Sequence, residues 1–165
     1  LGHAPYLRSL MNESANQRPI ATCAPSTTVA AMAAFGTGTC PGLTAMAGYT
    51  QLEPASHKLI QLIQFKDALA PKPANPHIPV PPMVDPLDLQ REETVFEKLA
   101  AQEVRVTSSG LPKFSKSPLT EAALRGTDYQ GNVTPRDRVL AAARASRTPG
   151  LTYLYIRDAG GSRAR

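Results

Sequence analysis

The residues of this 165-residue chain that could carry chemistry are two cysteines, three histidines, a glycine-containing turn, clustered glutamates and a block of arginines. Gly36-Thr37-Gly38-Thr39-Cys40-Pro41-Gly42 has the outline of a phosphate loop, in which successive backbone amides would cradle an anion. A dinucleotide loop needs glycine at position 41, where the chain has proline. A Walker loop needs glycine and lysine after four intervening residues, where the chain has Pro41-Gly42. The segment therefore reads as a turn after a short helix. Sixteen residues separate Cys23 from Cys40, and His3, His57 and His77 share no helical turn with each other or with a cysteine, so neither a metal nor a cofactor is expected. The sequence has no Gly-x-Ser-x-Gly elbow and no cysteine close to a histidine. Glu92, Glu93, Glu97 and Glu103 fall on the charged side of a helical pattern, where solvation accounts for them. No catalytic residue, no enzymatic activity and no small-molecule substrate are expected on these grounds.

The arginines are the most asymmetric feature. Residues 1–135 carry 11 Lys or Arg against 11 Asp or Glu, whereas residues 136–165 carry seven arginines against Asp137 and Asp158, so the whole excess of +5 lies in the last thirty residues. Arginine keeps its charge and makes forked contacts to carboxylate or phosphate, so an acidic protein surface, RNA or lipid headgroups would each suit it. An arginine-rich solvated helix face is the plainer alternative. Arg136, Arg138, Arg144, Arg147 and Arg157 are the basic candidates for partner binding.

The elements that would position these groups are punctuated by proline. Pro71, Pro73, Pro76, Pro79, Pro81, Pro82 and Pro86 fall within sixteen residues, a density that excludes helix and inner strand. At about 3 Å per residue this strap would reach roughly 45–50 Å. Residues 19–52 carry no charge, but their Ala, Thr and Gly content and the prolines Pro25 and Pro41 argue against a membrane span. Thr28 to Phe35 reads instead as a small-residue helix, ended by Gly36 and Gly38, that packs closely on another protein. Ser56 to Leu69 reads as an amphipathic helix whose apolar face, with Leu59, Ile60, Leu62 and Ile63, needs a partner surface. Asp85 caps a helix running to about Glu103, Val104 to Thr107 alternates as a short strand, and Ser108-Ser109-Gly110 turns the chain. Ser117-Pro118 opens a short helix ending near Gly126. Thr134, Pro135 and Asp137 open the best capped helix, and Tyr153 to Arg157 alternates as a strand.

The fold expected from these signals is irregular and mainly α, with short helices, extended proline-rich segments and at most a small α+β unit near the C-terminus. Its divisions are an N-terminal arm (1–54), the amphipathic helix (55–70), the strap (71–86), the α+β unit (87–158) and an arginine-containing tail (159–165). Such a chain suits a noncatalytic accessory subunit draped over neighbouring proteins of a large organellar membrane complex, respiratory or photosynthetic. The alternative is a ribosomal or ribonucleoprotein accessory protein that meets RNA through its C-terminal arginines. The first residue, Leu1, points to a processed or incomplete chain, and hence to a mitochondrial or chloroplast location.

Overall fold

Residues 4–71, 75 and 80–157 are described by the computed structural model. Helix α1 (Pro5–Glu13) starts with proline at its first position and leaves Tyr6, Leu7, Leu10 and Met11 exposed. Helix α2 (Thr28–Thr37) is capped at both ends by its own sequence. Thr27 Oγ1 accepts from the Ala30 amide at 3.2 Å, and Gly38, at φ 72°, closes the C-terminus by donating its N–H to Ala34 O at 2.9 Å. A single turn, α3 (Pro41–Thr44), follows.

The segment expected to be an amphipathic helix over Ser56–Leu69 is instead part of an antiparallel sheet. Strands β1 (Thr50–Glu53), β2 (Lys58–Gln61) and β3 (Lys66–Asp67) lie in that order, with Thr50 opposite Gln61 and Ile60 opposite Asp67. Two turns break any helical path, for His57 and Phe65 adopt φ 53° and 54°. The first turn is held by the Glu53 carboxylate, which accepts from the amides of Ala55 (2.9 Å) and Ser56 (2.5 Å). Leu59 then points outward at 39% exposure while Ile60 is buried. Ile60, Leu62 and Phe65 enter the chain's own core and so need no surface from another protein.

The stretch expected as one helix from 86 to 103 is two, α4 (Pro86–Leu89) and α5 (Val95–Ala100). Gln90 makes the break. Its buried amide donates to Ala122 O at 2.6 Å and to Glu92 O at 3.0 Å, and accepts from the Glu92 amide at 2.6 Å. Thr94 then starts a new helix through a reciprocal capping box with Glu97.

Strand β4 (Val106–Gly110) runs straight through the Ser108-Ser109-Gly110 segment expected to turn. A 3-10 turn (Pro112–Phe114) and helix α6 (Pro118–Ala123) lead to β5 (Asp128–Gly131), and helix α7 (Pro135–Ala145) leads to β6 (Leu151–Leu154). These strands form a second sheet in the order β5-β4-β6, parallel throughout, with Ser108 flanked by Tyr129 and Tyr153. Parallel neighbours require crossover connections, which α6 and α7 supply. Every residue of β4 is buried, and its hydroxyls are satisfied across the sheet faces. Ser108 Oγ pairs with Thr127 Oγ1 at 2.9 Å, and Ser109 Oγ donates to Arg138 O of α7 at 3.0 Å. The two serines face opposite ways, so α7 covers one face. On the other face Tyr153 packs against Phe35 of α2 (5.5 Å between ring centroids) and Phe96 of α5 (6.1 Å).

One apolar cluster joins both halves of the chain. It contains Val29 and Ala33 of α2, Met46, Ile60, Leu62 and Phe65 of the antiparallel layer, and Phe96, Val106, Ala122 and Leu124 of the parallel layer. Helix α2 reaches α6 so closely that a Cβ on Gly36 would overlap the Ala123 carbonyl, so its small side chains serve contact within the chain. With about 36% helix, 16% strand and two sheets among the described residues, the fold is α/β and not mainly α, because neighbouring strands convert short, locally ambiguous segments into sheet. No helix among the described residues is long and apolar enough to cross a membrane. Pro73, Pro76 and Pro79 of the expected strap, and the expected tail at 159–165, lie outside the described residues.

Candidate active site

Open parallel sheets bind ligands in the crevice beyond the carboxyl ends of their strands. Here that edge borders a cavity of about 490 Å³, a size suited to a small organic ligand. Its apolar wall is built by Met32, Ile63, Phe114, Leu119 and Leu124, and its polar groups include Thr28, Gln64, Ser117, Thr120 and the phenols of Tyr129, Tyr153 and Tyr155. Lys113 and Arg157 bring two positive charges to the lining, which contains no carboxylate. Two ion pairs lie elsewhere, Lys58 with Asp67 at 3.6 Å and Arg125 with Glu97 at 2.9 Å.

Thr28 is the hydroxyl with the most distinctive setting. It is the first residue of α2, so its side chain stands at the positive end of a ten-residue helix with no acidic residue in the first turn. The first intrahelical bond runs from the Ala31 amide to Thr27 O, and Thr27 Oγ1 takes the Ala30 amide. The amides of Thr28 and Val29 therefore have no acceptor within the helix. Thr28 Oγ1 shares a 2.9 Å hydrogen bond with Tyr49 Oη.

Lys113 rests against an aromatic pair. Lys113 Nζ lies 5.2 Å from the centroid of the Phe114 ring, which itself meets Tyr155 edge-on at 5.9 Å. Tyr129 Oη donates to Leu111 O at 2.8 Å, and burial raises its pKa. Burial pushes the Tyr153 phenol up to about 12, with neighbouring Tyr155 and Tyr129 adding to the rise. The cavity thus keeps neutral phenol donors through the physiological range. Because the folded-state value lies above that of a free tyrosine, this group's contribution to stability is complete below pH ~10 and is lost as the pH climbs towards about 12. An alkaline absorbance titration should show one phenol ionising near the upper end of that window, and Tyr153→Phe should remove that step. A titration unchanged by the substitution would assign the late phenol elsewhere.

The nine residues expected to bind partners are scattered by the fold. Ile60 and Leu62 are core, Ile63 lines the cavity, and Leu59 faces out from the antiparallel sheet. Arg136, Arg144 and Arg147 are exposed on or just after α7, and Arg157 reaches the cavity. Arg138 is fully buried, donating from Nε to Thr134 O and from Nη1 to Tyr155 O, both at 3.3 Å, so it secures α7 against the chain beyond β6. The glycine-containing turn that resembles a phosphate loop forms the C-terminal end of α2 and leads into α3, at the opposite end of α2 from Thr28. A second cavity of about 410 Å³ lies between β1, β2 and α4, with Glu53, Asp88 and Arg91 in its lining, away from the ends of the parallel strands. Among the described residues no three His, Cys, Asp or Glu side chains converge as a metal-binding group.

Sequence reasoning passed over Thr28. Its signal was present as adjacent hydroxyl residues, Thr27 and Thr28, placed directly before an alanine-rich helix, one to cap it and the next to project from its first turn.

A family model described as type I phosphodiesterase / nucleotide pyrophosphatase matches residues 1–163. No curated protein and no solved structure matches the chain. The family match overturns the expectation of a noncatalytic accessory subunit, along with its ribonucleoprotein alternative, and points to an enzyme. It likewise replaces neighbouring subunits with a nucleotide substrate, where none had been expected.

Proposed function

Because the chain belongs to the type I phosphodiesterase / nucleotide pyrophosphatase family, we propose that its cavity hydrolyses a phosphodiester or pyrophosphate bond of a nucleotide, with Thr28 as the nucleophile. The observation that carries this reading is the meeting of a helix-start hydroxyl with two cations in a lining that lacks any carboxylate. Each feature favours an anionic substrate, and a single carboxylate in the wall would oppose it.

In the reaction, Thr28 Oγ1 attacks phosphorus and the P–O bond to the departing group breaks, giving a phosphothreonine ester. The hydroxyl proton passes to solvent. Water then attacks the ester and restores the hydroxyl. The exposed end of α2 stabilises negative charge developing at Oγ1 and on the phosphoryl oxygens, by up to ~2 kcal/mol in a partly buried setting. Lys113 and Arg157 hold the phosphoryl oxygens, Arg157 with the planar fork that suits two oxygens at once. The apolar wall accommodates the organic part of the substrate.

Hydrolysis of a p-nitrophenyl ester of thymidine monophosphate tests the role of the cations. Replacing Lys113 and Arg157 together with alanine should lower kcat/KM by ~10²–10³-fold. Each single variant should produce part of that loss. A double variant as active as the parent protein would remove the cavity from the reaction.

A further inference from the structure

The cavity of about 410 Å³ between β1, β2 and α4 shares no lining residue with the one that holds Thr28. Adjacent residues divide them, for Leu62 lines the first and Ile63 the second. The floor of this smaller cavity is apolar and fixed. Ile60 and Leu62 are buried core residues, and Val84 and Leu89 pack against the same cluster. Charges of both signs stand above that floor, half-buried Glu53 and exposed Asp88 against exposed Arg91. The Ser56 hydroxyl and the amides of Ala55 and Ser56 hold the Glu53 carboxyl below the usual carboxylate range. Arg91 Nε donates to the Asp88 carbonyl at 2.9 Å, which anchors the guanidinium and leaves its two terminal nitrogens for another acceptor. Among the described residues neither carboxylate forms an ion pair with Arg91.

Opposite charges that line one apolar cavity without meeting restrict what can enter it. A simple anion meets two carboxylates, and a simple cation meets a guanidinium. An uncharged molecule would strip water from all three charges and give nothing back. A molecule with both charges and an apolar body satisfies every group. We propose that this cavity binds a free α-amino acid with an apolar side chain, as its zwitterion. Such a molecule carries both charges around a single carbon, so both reach the charged side chains while its own side chain points to the floor. Arg91 takes the carboxylate with its planar fork, Asp88 and Glu53 take the ammonium, and Ile60, Leu62, Val84 and Leu89 receive the side chain. The site forms no covalent bond and is independent of the group that attacks phosphorus in the larger cavity.

Titration calorimetry of the full chain with L-leucine and L-phenylalanine tests the site. Saturable one-to-one binding is expected for at least one of them. The amide of the tighter binder lacks the carboxylate and its N-acetyl derivative lacks the ammonium, so each should bind at least ~10-fold more weakly because a charge of the protein loses its partner. Glycine, with no side chain for the floor, should lose a similar factor of ~10 or more. Arg91→Gln should weaken the amino acid ~10-fold or more and leave its amide nearly unchanged, and Asp88→Asn should weaken the amino acid and leave its N-acetyl derivative nearly unchanged. The three analogues carry the test should either variant fail to fold. Replacing Lys113 and Arg157 together with alanine should not alter the binding, since both belong to the other cavity. The proposal is overturned if neither amino acid binds, if the amide binds as tightly as the amino acid, or if Arg91→Gln and Asp88→Asn both bind like the parent. Loss of binding in the Lys113 and Arg157 double variant overturns it as well, by placing the amino acid in the larger cavity.

Discussion

Thr28→Ala is expected to abolish turnover of a nucleotide phosphodiester, with kcat reduced at least ~10³-fold and the melting temperature almost unchanged. Two facts make the loss specific to chemistry. Thr28 is solvent-accessible and its side chain does not cap the helix, since Thr27 holds the Ala30 amide, so removing the Thr28 hydroxyl leaves α2 intact. The electrostatic surroundings also survive, because the helix end, Lys113 and Arg157 are untouched. Substrate should therefore still bind, and KM should change much less than kcat. Thr28→Ser keeps the attacking oxygen and should retain activity within ~10-fold of the parent. The loss of the γ-methyl frees the hydroxyl to leave its aimed rotamer, which accounts for the remaining deficit. Acid quenching during turnover of the p-nitrophenyl ester of thymidine monophosphate, followed by mass measurement of the peptide that contains residue 28, should find the thymidylyl adduct in the parent and not in Thr28→Ala. An alanine variant that turns over normally would exclude Thr28 as nucleophile.

Gly36→Ala should be the most damaging small substitution in α2. Alanine is ordinarily the better helix former, so propensity alone would favour the change. Packing reverses the sign. The new methyl would overlap the backbone carbonyl of Ala123, with Leu124 Cδ2 at 3.2 Å beside it, and a carbonyl fixed in α6 cannot swing aside as a side chain could. Relief requires α2 and α6 to separate, which opens the cluster formed by Val29, Ala33, Ala122 and Ala123. A loss of about 3 kcal/mol follows, at the upper end of ordinary overpacking. For a chain of this length that lowers the melting temperature by about 6–12 °C. Where the fold survives, activity should suffer as well, since Thr28 rides on the displaced helix and a shift of about 1 Å can lower a rate ~10²-fold. Gly42→Ala is the control. Its Cβ would meet only Cys40 Sγ at 3.9 Å, so melting and turnover should both stay close to the parent. Equal melting of the two variants would contradict the close approach of α2 to α6.

Several helix ends were legible along the chain because they are built from residues a few positions apart, although Gly36, expected to end α2, lies inside it. Thr134 accepts from the Asp137 amide at 3.1 Å, Ser117 accepts from the Thr120 amide at 3.3 Å, and Gly38 takes the left-handed conformation that ends α2. Segment 56–69 was not legible in the same way. Leu59, Ile60, Leu62 and Ile63 satisfy a helical stripe, and a short apolar run of this kind does not distinguish helix from strand. The choice was made by β1, which supplies a ladder, and by a core able to receive Ile60, Leu62 and Phe65. Ser108-Ser109-Gly110 misled for a related reason. Small polar residues signal a turn only when their hydroxyls have no partner, and here Thr127 and the Arg138 carbonyl provide partners from across the sheet.

The C-terminal positive charge was read correctly as an excess but attached to the wrong kind of counterpart, because charge counted along a chain says nothing of which cations converge. Arg138 goes inside, Arg136 and Arg144 remain in solvent, and Arg157 joins Lys113, a residue from an otherwise unremarkable turn, at one cavity. Helix caps and the placement of Thr28 at a helix start follow from interactions over one or two turns, whose partners are within reach in sequence, whereas the break at Gln90 depends in part on Ala122, far along the chain. The parallel sheet, the burial of a serine-rich strand and the meeting of Thr28 with Tyr49, Lys113 and Arg157 depend on contacts between distant segments. Only the packed chain, once it has satisfied its buried polar groups and closed its core, selects among those pairings.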